Sequence, residues 1–416
     1  MASEIDRPGD SMFNSRDRAI QALHSRVLNS QAPALGRPSV RLSVNTCQRR
    51  ARNSSSERNV VLALMSTKTQ TTTTHYHIQK KRRADFIDEW RKYRQTVIRE
   101  EDVTLVPTAR GLRTGVYMGW DGDRPTRCLD ALVHEVDPQT TTTIHRHSWD
   151  AILFMVEGSG WTEVDGVRYD WKAWDAIHIP AWSWHRHGND GDRPGRFMSY
   201  SSEPTLWTLG MSLIEDAGSE PFSALPPRPT VSAGARGDDA YARRLRRINQ
   251  ETKRRRSGRI HTPYDEQEIL ATPRGTRTKF LNDRAIGNQA SGLTQVMIQF
   301  APGKTQSLHR HPGEAWLYVV EGYGHSFMGI APDKGEHHRW KKGDLIVVDH
   351  FLWHQHFNDD PVNQCRLVRI HMFDSLLETM RTLMDPMVLF EEAEDTLVSM
   401  QELSEIQWPE DKRPGE

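Results

Sequence analysis

A chain of 416 residues exceeds what one hydrophobic core ordinarily organises, so two domains with extensions are expected. Lysine plus arginine balance aspartate plus glutamate at 55 each, which removes any charge-based argument for nucleic acid or an anionic membrane surface. No apolar run approaches the ~20 residues of a membrane span, and three scattered cysteines (Cys47, Cys128, Cys365) make no disulfide framework, so a soluble, reduced, cytoplasmic protein is expected.

Residues 1–64 hold ten arginines, many serines and no lysine, with little periodicity. Transit peptides share that composition, but Glu4, Asp6, Asp10 and Asp17 do not suit one. Residues 1–78 therefore read as a disordered or non-native extension, with Met65 as an alternative initiator. Apolar residues at helical spacing predict a leading helix over 83–98. From there to 215, short runs of β-branched and aromatic residues alternate with Gly, Pro and Asp turn signals, the pattern of a small antiparallel barrel or jelly roll. A connector over 216–275 contains the basic run "YARRLRRINQETKRRRSGR", read as a solvated helix packed near the acidic tail residues Glu391, Glu392, Glu394 and Asp395. A second β-rich domain is expected over 276–372, and a helical tail over 373–416 with Asp374 as its N-cap.

The two β-rich halves repeat one another. "HRHSWDAILFMVEG", beginning at His145, aligns without a gap with "HRHPGEAWLYVVEG", beginning at His309. Downstream, Asp175, Trp184, His185, His187 and Asn189 meet Asp344, Trp353, His354, His356 and Asn358. Residues i and i+2 of a strand face one side, so His145 and His147 point together, as do His185 and His187 on a later strand. Two imidazoles from one strand and a third from another occupy one face of a metal and leave the remaining positions open. His145, His147 and His185 are the candidate ligands in the first half, and His309, His311 and His354 are the corresponding possible second site. On the same parity, Leu153 and Met155 face inward to shape a substrate pocket. Trp149 shares that parity and is a further pocket residue able to stack on a substrate, while Trp182 and Trp184 are assigned to packing.

These motifs resemble the paired motifs of the cupin superfamily, and the chain resembles a bicupin. "HRHSWDAILFMVEGSGWTEVDG" with "IPAWSWHRHGN" is similar to the gentisate 1,2-dioxygenase group, which includes salicylate and 1-hydroxy-2-naphthoate dioxygenases. The resemblance spans about residues 100–375. It implies a mainly β fold of two cupin (double-stranded β-helix, jelly-roll) barrels with flanking helices. It also implies Fe(II), a small aromatic substrate with O2, extradiol-type ring cleavage and a homo-oligomer. The resemblance places His145, His147 and His185 at the iron and makes His187 the catalytic residue beside it, as a proton acceptor, as a donor to bound oxygen, or as a residue orienting a ligand. Many cupins carry a glutamate as fourth ligand where Ala151 and Ala315 stand here, which favours a three-histidine iron site over a manganese one. Asp150 and Glu314, one residue away, face off the metal by strand parity.

Two departures bear on the substrate. Where gentisate-type enzymes carry an arginine for the substrate carboxylate, Leu153 and Leu317 stand here, so Arg110, Arg113 or Arg196 must supply that clamp, or the substrate is a phenol or aminophenol that needs none. The C-terminal histidine set is also intact, where that group commonly has a degenerate one. A bicupin decarboxylase, a non-aromatic dioxygenase and a non-catalytic metal-binding bicupin are the alternatives.

Overall fold

The computed structural model of the chain describes residues 74–413 apart from 120–123, 125, 127, 227–236, 312 and 372–390. Each half forms a barrel of two facing antiparallel sheets, the mainly β architecture expected. In the first barrel the larger sheet is built around Asp130–Val136, Ala151–Glu157, Ala176–Ile179 and Gly195–Ser201. The smaller one is built around Ile144–His147, Ser159–Val164 and His185–Asn189. The second barrel repeats the order, with Thr294–Phe300, Ala315–Glu321, Leu345–Val348 and Cys365–His371 facing His309–Arg310, Tyr323–Ala331 and Trp353–Asn358.

Strand Ala151–Glu157 explains how the barrels join. Its residues are apolar on both faces because both faces are covered. Leu153 and Met155 point into the first barrel with Ile177, Ile179 and Phe197. Ile152 and Phe154 point the other way, into a core shared with Trp316, Tyr318, Leu345, Val347 and Ile370 of the second barrel. The two large sheets therefore pack face to face, and the interior of each barrel is a separate space.

A reciprocal strand exchange ties this interface. Val97–Ile98, which leads into the first barrel, pairs with Ile346 and Leu345 of the second. His261–Thr262, 164 residues later, pairs with Ile177 and Ala176 of the first. The aligned aspartates anchor both exchanges: Asp175 accepts from the Tyr264 backbone N–H at 2.9 Å, and Asp344 from that of Glu100 at 3.2 Å. Arg413 adds a buried ion pair to Asp175 at 2.9 Å.

Several expected boundaries differ from what is observed. The leading helix runs His75–Tyr93, and Val97–Ile98 is a strand of the other barrel instead of its last turn. The connector is not a plain linker, because it contains the exchanged strand, the helix Ala240–Arg256 and the first strand of the second large sheet, Leu270–Thr272. That basic helix is solvated as expected, but its arginines pair with Asp238 and Glu251, whereas Glu392 of the tail pairs with Arg274. Of the predicted tail helix, residues 373–390 lie outside the described residues. Over 391–413 the tail is the strand Glu391–Glu392, a turn of 3-10 helix and the short helix Met400–Glu405, because pairing with the second barrel overrides local helical spacing. No helix among the described residues is long and apolar enough to cross a membrane.

Removing one partner of a buried ion pair strands the other charge, at a cost of about 3–5 kcal/mol. Asp175→Ala should therefore lower stability by about that amount, in one urea transition followed alike by probes in both barrels. Two separable transitions would contradict a shared core.

Candidate metal centre

The triad is set by one strand pairing. His185 lies directly across from His145, and His147 is two residues along the same face. The three rings are 2–4% exposed, with centroids 4.0, 4.9 and 5.6 Å apart, and their candidate ligand nitrogens lie within 4.8 Å of one another. Backbone carbonyls fix two of the tautomers. His147 Nδ1 donates to Trp149 O at 2.7 Å and His185 Nδ1 to Ser183 O at 2.9 Å, which leaves both Nε2 lone pairs available. Trp182, with φ of 62°, holds the loop between the strands by donating its N–H to His147 O at 2.6 Å. A bulky residue in that conformation costs ~1–3 kcal/mol and persists only where its surroundings enforce it.

Burial keeps the cluster neutral. It depresses His145, His185 and His187 well below the ordinary imidazole range and holds His147 down to about 4; the Arg110 cation lowers all four further, neighbouring rings add to this at His145, His185 and His187, and the hydrogen bond to Trp149 O opposes it at His147. His147 and His185 present Nε2 lone pairs, His145 would do so once its Nδ1 no longer accepts from Arg110, and no carboxylate is in the set; such neutral imidazoles suit a divalent first-row metal, so the residues fit the iron that the resemblance implies. Ala151 indeed lines the cavity where a fourth ligand would stand. Asp150 turns away as parity requires, accepting from His178 Nε2 at 3.0 Å and from the Ala181 and Ser291 N–H groups at 3.1 Å.

A cavity of about 240 Å³ opens beside the triad. Leu112, Leu132, Leu153, Ile179 and Phe197 form its apolar walls, and Arg110, Trp149, His134, His187, Asp130 and Glu203 line it too, with Thr108, Thr114, Ser199 and Ser201. Leu153 lines it as expected. Met155 is buried beneath with the interior core and is not among the lining residues, a correction to its expected pocket role. One face of Trp149 is already stacked on His147, at 4.4 Å between centroids and 4° between planes. Trp182 and Trp184 pack under Arg146, as expected of structural residues. His187 Nδ1 lies 3.0 Å from Thr162 Oγ1, which accepts from Trp171 Nε1 at 3.2 Å.

The three candidate arginines separate cleanly. Arg113 and Arg196 both pair with Glu135, and Arg196 also reaches Glu100 at 3.2 Å. Arg110 alone of the three lines the cavity, with Nη2 against His145 Nδ1 and Nε buried without a hydrogen-bond partner among the described residues. Burial lowers its pKa to about 10, opposed by Asp216, so it stays cationic at neutral pH. The signal that singles it out is a further piece of the internal repeat: "TARGLRT" (108–114) and "TPRGTRT" (272–278) place Arg110 and Arg274 at equal distances before the two HxH pairs. In both, the following glycine is left-handed, at φ 87° for Gly111 and 83° for Gly275.

Comparison with known proteins agrees with this geometry. The family model described as a cupin domain matches residues 132–201 and 296–371, once in each barrel. A 1-hydroxy-2-naphthoate 1,2-dioxygenase of Nocardioides sp. (strain KP7) is 25% identical over 69% of this chain and 75% of its own length. A gentisate 1,2-dioxygenase of Aquipseudomonas alcaligenes is 28% identical over 54% of this chain and 65% of its own. The solved salicylate 1,2-dioxygenase of Pseudoaminobacter salicylatoxidans, in its gentisate adduct, shares the fold with a TM-score of 0.52 at 17% identity, covering 83% of this chain and 96% of that one. The similarity to the gentisate dioxygenase group expected from the motifs is thus borne out.

A histidine buried as the neutral form resists the proton that the unfolded chain accepts near pH 6.5. The stability these rings contribute is therefore complete above about pH 6.5 and is lost as pH falls toward their depressed folded values, about 4 for His147. Urea midpoints of the metal-free protein should fall below that pH, and His187→Asn should flatten the slope.

Proposed function

We propose that this chain, a pair of cupin domains, is an Fe(II)-dependent dioxygenase that opens the ring of a small hydroxylated aromatic acid, the first barrel carrying the reaction. The observation that carries the reading is Arg110, a half-buried cation beside a neutral three-histidine cluster and lining a cavity with leucine walls. His145, His147 and His185 would hold Fe(II), which would supply the redox chemistry for O2.

The chain's own residues do the rest. An arginine only donates, so its contact with His145 uses the Nδ1 lone pair. Ligation by His145 through either nitrogen removes that acceptor, because Nδ1 is then either the ligand or protonated. Arg110, which lines the cavity, would then have its fork free to match a carboxylate. Trp171 Nε1 can only donate, so it takes one lone pair of the Thr162 hydroxyl; the hydroxyl proton has His187 Nδ1 as its acceptor among the described residues, and we assign it there. His187 accordingly presents Nε2–H and serves as a donor that holds an anionic oxygen, in preference to accepting the phenol proton. The leucine walls confine a flat ring and exclude water, and the cavity is smaller than the ~300–1,000 Å³ of drug-sized sites, which favours a single ring. Cleavage is placed between the hydroxyl- and carboxyl-bearing carbons, extradiol-type in that it does not fall between two hydroxylated carbons. Both atoms of O2 enter the ring-opened acid.

Oxygen uptake by iron-loaded protein against salicylate, gentisate and 5-aminosalicylate should show one O2 per substrate and a ring-opened product. No uptake with any hydroxylated or aminated benzoate sinks the reading. Charge-assisted hydrogen bonds contribute roughly 1.5–3 kcal/mol, so Arg110→Ala should lower kcat/KM for these acids by about 10–100-fold, mostly through KM. Metal content should be unchanged, and turnover of any phenol lacking the carboxylate should be little affected.

A further inference from the structure

The second barrel repeats the first in its histidines and differs in what holds its arginine. His309, His311 and His354 are 2–4% exposed, with ring centroids 4.2, 4.8 and 5.9 Å apart and ligand nitrogens within 4.8 Å of one another. His309 faces His354 across its strand pair as His145 faces His185. Nδ1 of His309 donates to Ser307 O at 2.9 Å and Nδ1 of His354 to Leu352 O at 2.8 Å, leaving their Nε2 lone pairs available. Phe351, left-handed at φ 58°, donates to His311 O at 2.9 Å, as Trp182 does to His147 O. Even the neighbouring ring is held alike, with His356 Nδ1 2.6 Å from Ser326 Oγ and Trp340 Nε1 donating to that hydroxyl at 2.9 Å. A barrel kept only for packing has no need of buried imidazoles with fixed tautomers, since apolar residues of similar volume fill such space without polar groups.

The arginines diverge. In the first barrel Asp216 lies across from His145 in the adjoining strand, is exposed, and makes no hydrogen bond to Arg110 among the described residues. In the second barrel Glu392 takes the same place across from His309 and does bond Arg274, while its other oxygen accepts from Ser307 Oγ at 3.1 Å. Arg274 stands close enough to its triad for its charge to act on His309, His311 and His354, and it is engaged there by a carboxylate of the chain itself.

We propose that His309, His311 and His354 form a second centre for a divalent first-row transition metal, and that Glu392 occupies Arg274 in place of an aromatic carboxylate, so that the acid enters only the first barrel. The metal part is independent of the reading of the first barrel; the exclusion of the acid rests on it.

Full-length protein loaded anaerobically with Fe(II) and freed of unbound metal should hold two ions per chain. His354→Ala and His311→Gln should each hold one and retain ring cleavage, whereas His185→Ala should hold one and lose it. One ion in the wild type, unchanged in both second-barrel variants that keep the native circular dichroism spectrum, overturns the second centre. Anaerobic calorimetric titration with salicylate should give one site per chain in the wild type and two in Glu392→Ala. One site in both overturns the exclusion by Glu392. None in the wild type overturns the reading of the first barrel and the exclusion with it, and leaves the metal count as the separate test of the second centre.

Discussion

The site depends on one register: His145 opposite His185 in an antiparallel pair. A slip by one residue would turn every side chain of a strand to the other face, scattering the imidazoles between the barrel interior and the outside. Several contacts pin that register from the loops. Trp182 bonds the carbonyl of His147, Asp165 accepts from the Trp184 N–H at 2.9 Å, and Thr142 Oγ1 accepts from the His187 N–H at 2.9 Å. The strained conformation at Trp182 is thus part of how the ligands are held before any ion arrives.

The shared core gives this register its rigidity. Strand Ala151–Glu157 follows the HxH pair directly, and its outward residues are clamped in the interface with the second barrel. Each aligned aspartate locks an exchanged strand against the turn that opens the Ala176–Ile179 or Leu345–Val348 strand. Movement of one barrel's ligand strands is therefore resisted by the other barrel's sheet. Duplication in this chain supplies a rigid partner as well as a second set of ligands.

Much of the site was legible because its chemistry follows the period of a strand. His145 with His147, and Leu153 turned inward, need only alternation. The exchanged strands were not legible: Val97–Ile98 and His261–Thr262 are two residues each, too short to carry a period, and their pairing is decided by the distant barrel. The tail failed for the same reason, since Glu392 is a strand residue only because His309 lies beside it. Arg110 was readable in principle. Its repeat partner Arg274 lies the same distance before the second HxH, but the run between them and the histidines shares few residues and conceals the match. Met155 shows the limit of parity, which fixes the face of a residue and not its depth.

Leu153 first suggests a cavity without carboxylate recognition, yet the position of Arg110 changes what that leucine means. Two arginines beside a divalent ion and neutral imidazoles would concentrate positive charge in a buried, low-dielectric space, and each added charge raises the desolvation cost. With one arginine, the hydroxylated acid proposed as substrate would offset most of the charge of that arginine and a divalent ion, and Leu153 would serve as an apolar wall for its ring. On the proposed reading, carboxylate recognition falls to the arginine of the strand-leading "TARG" turn, and a leucine at 153 does not stand against it. The same turn in the second barrel is closed by Glu392, and the histidine beside it differs accordingly, His309 Nδ1 donating to Ser307 O where His145 Nδ1 meets Arg110.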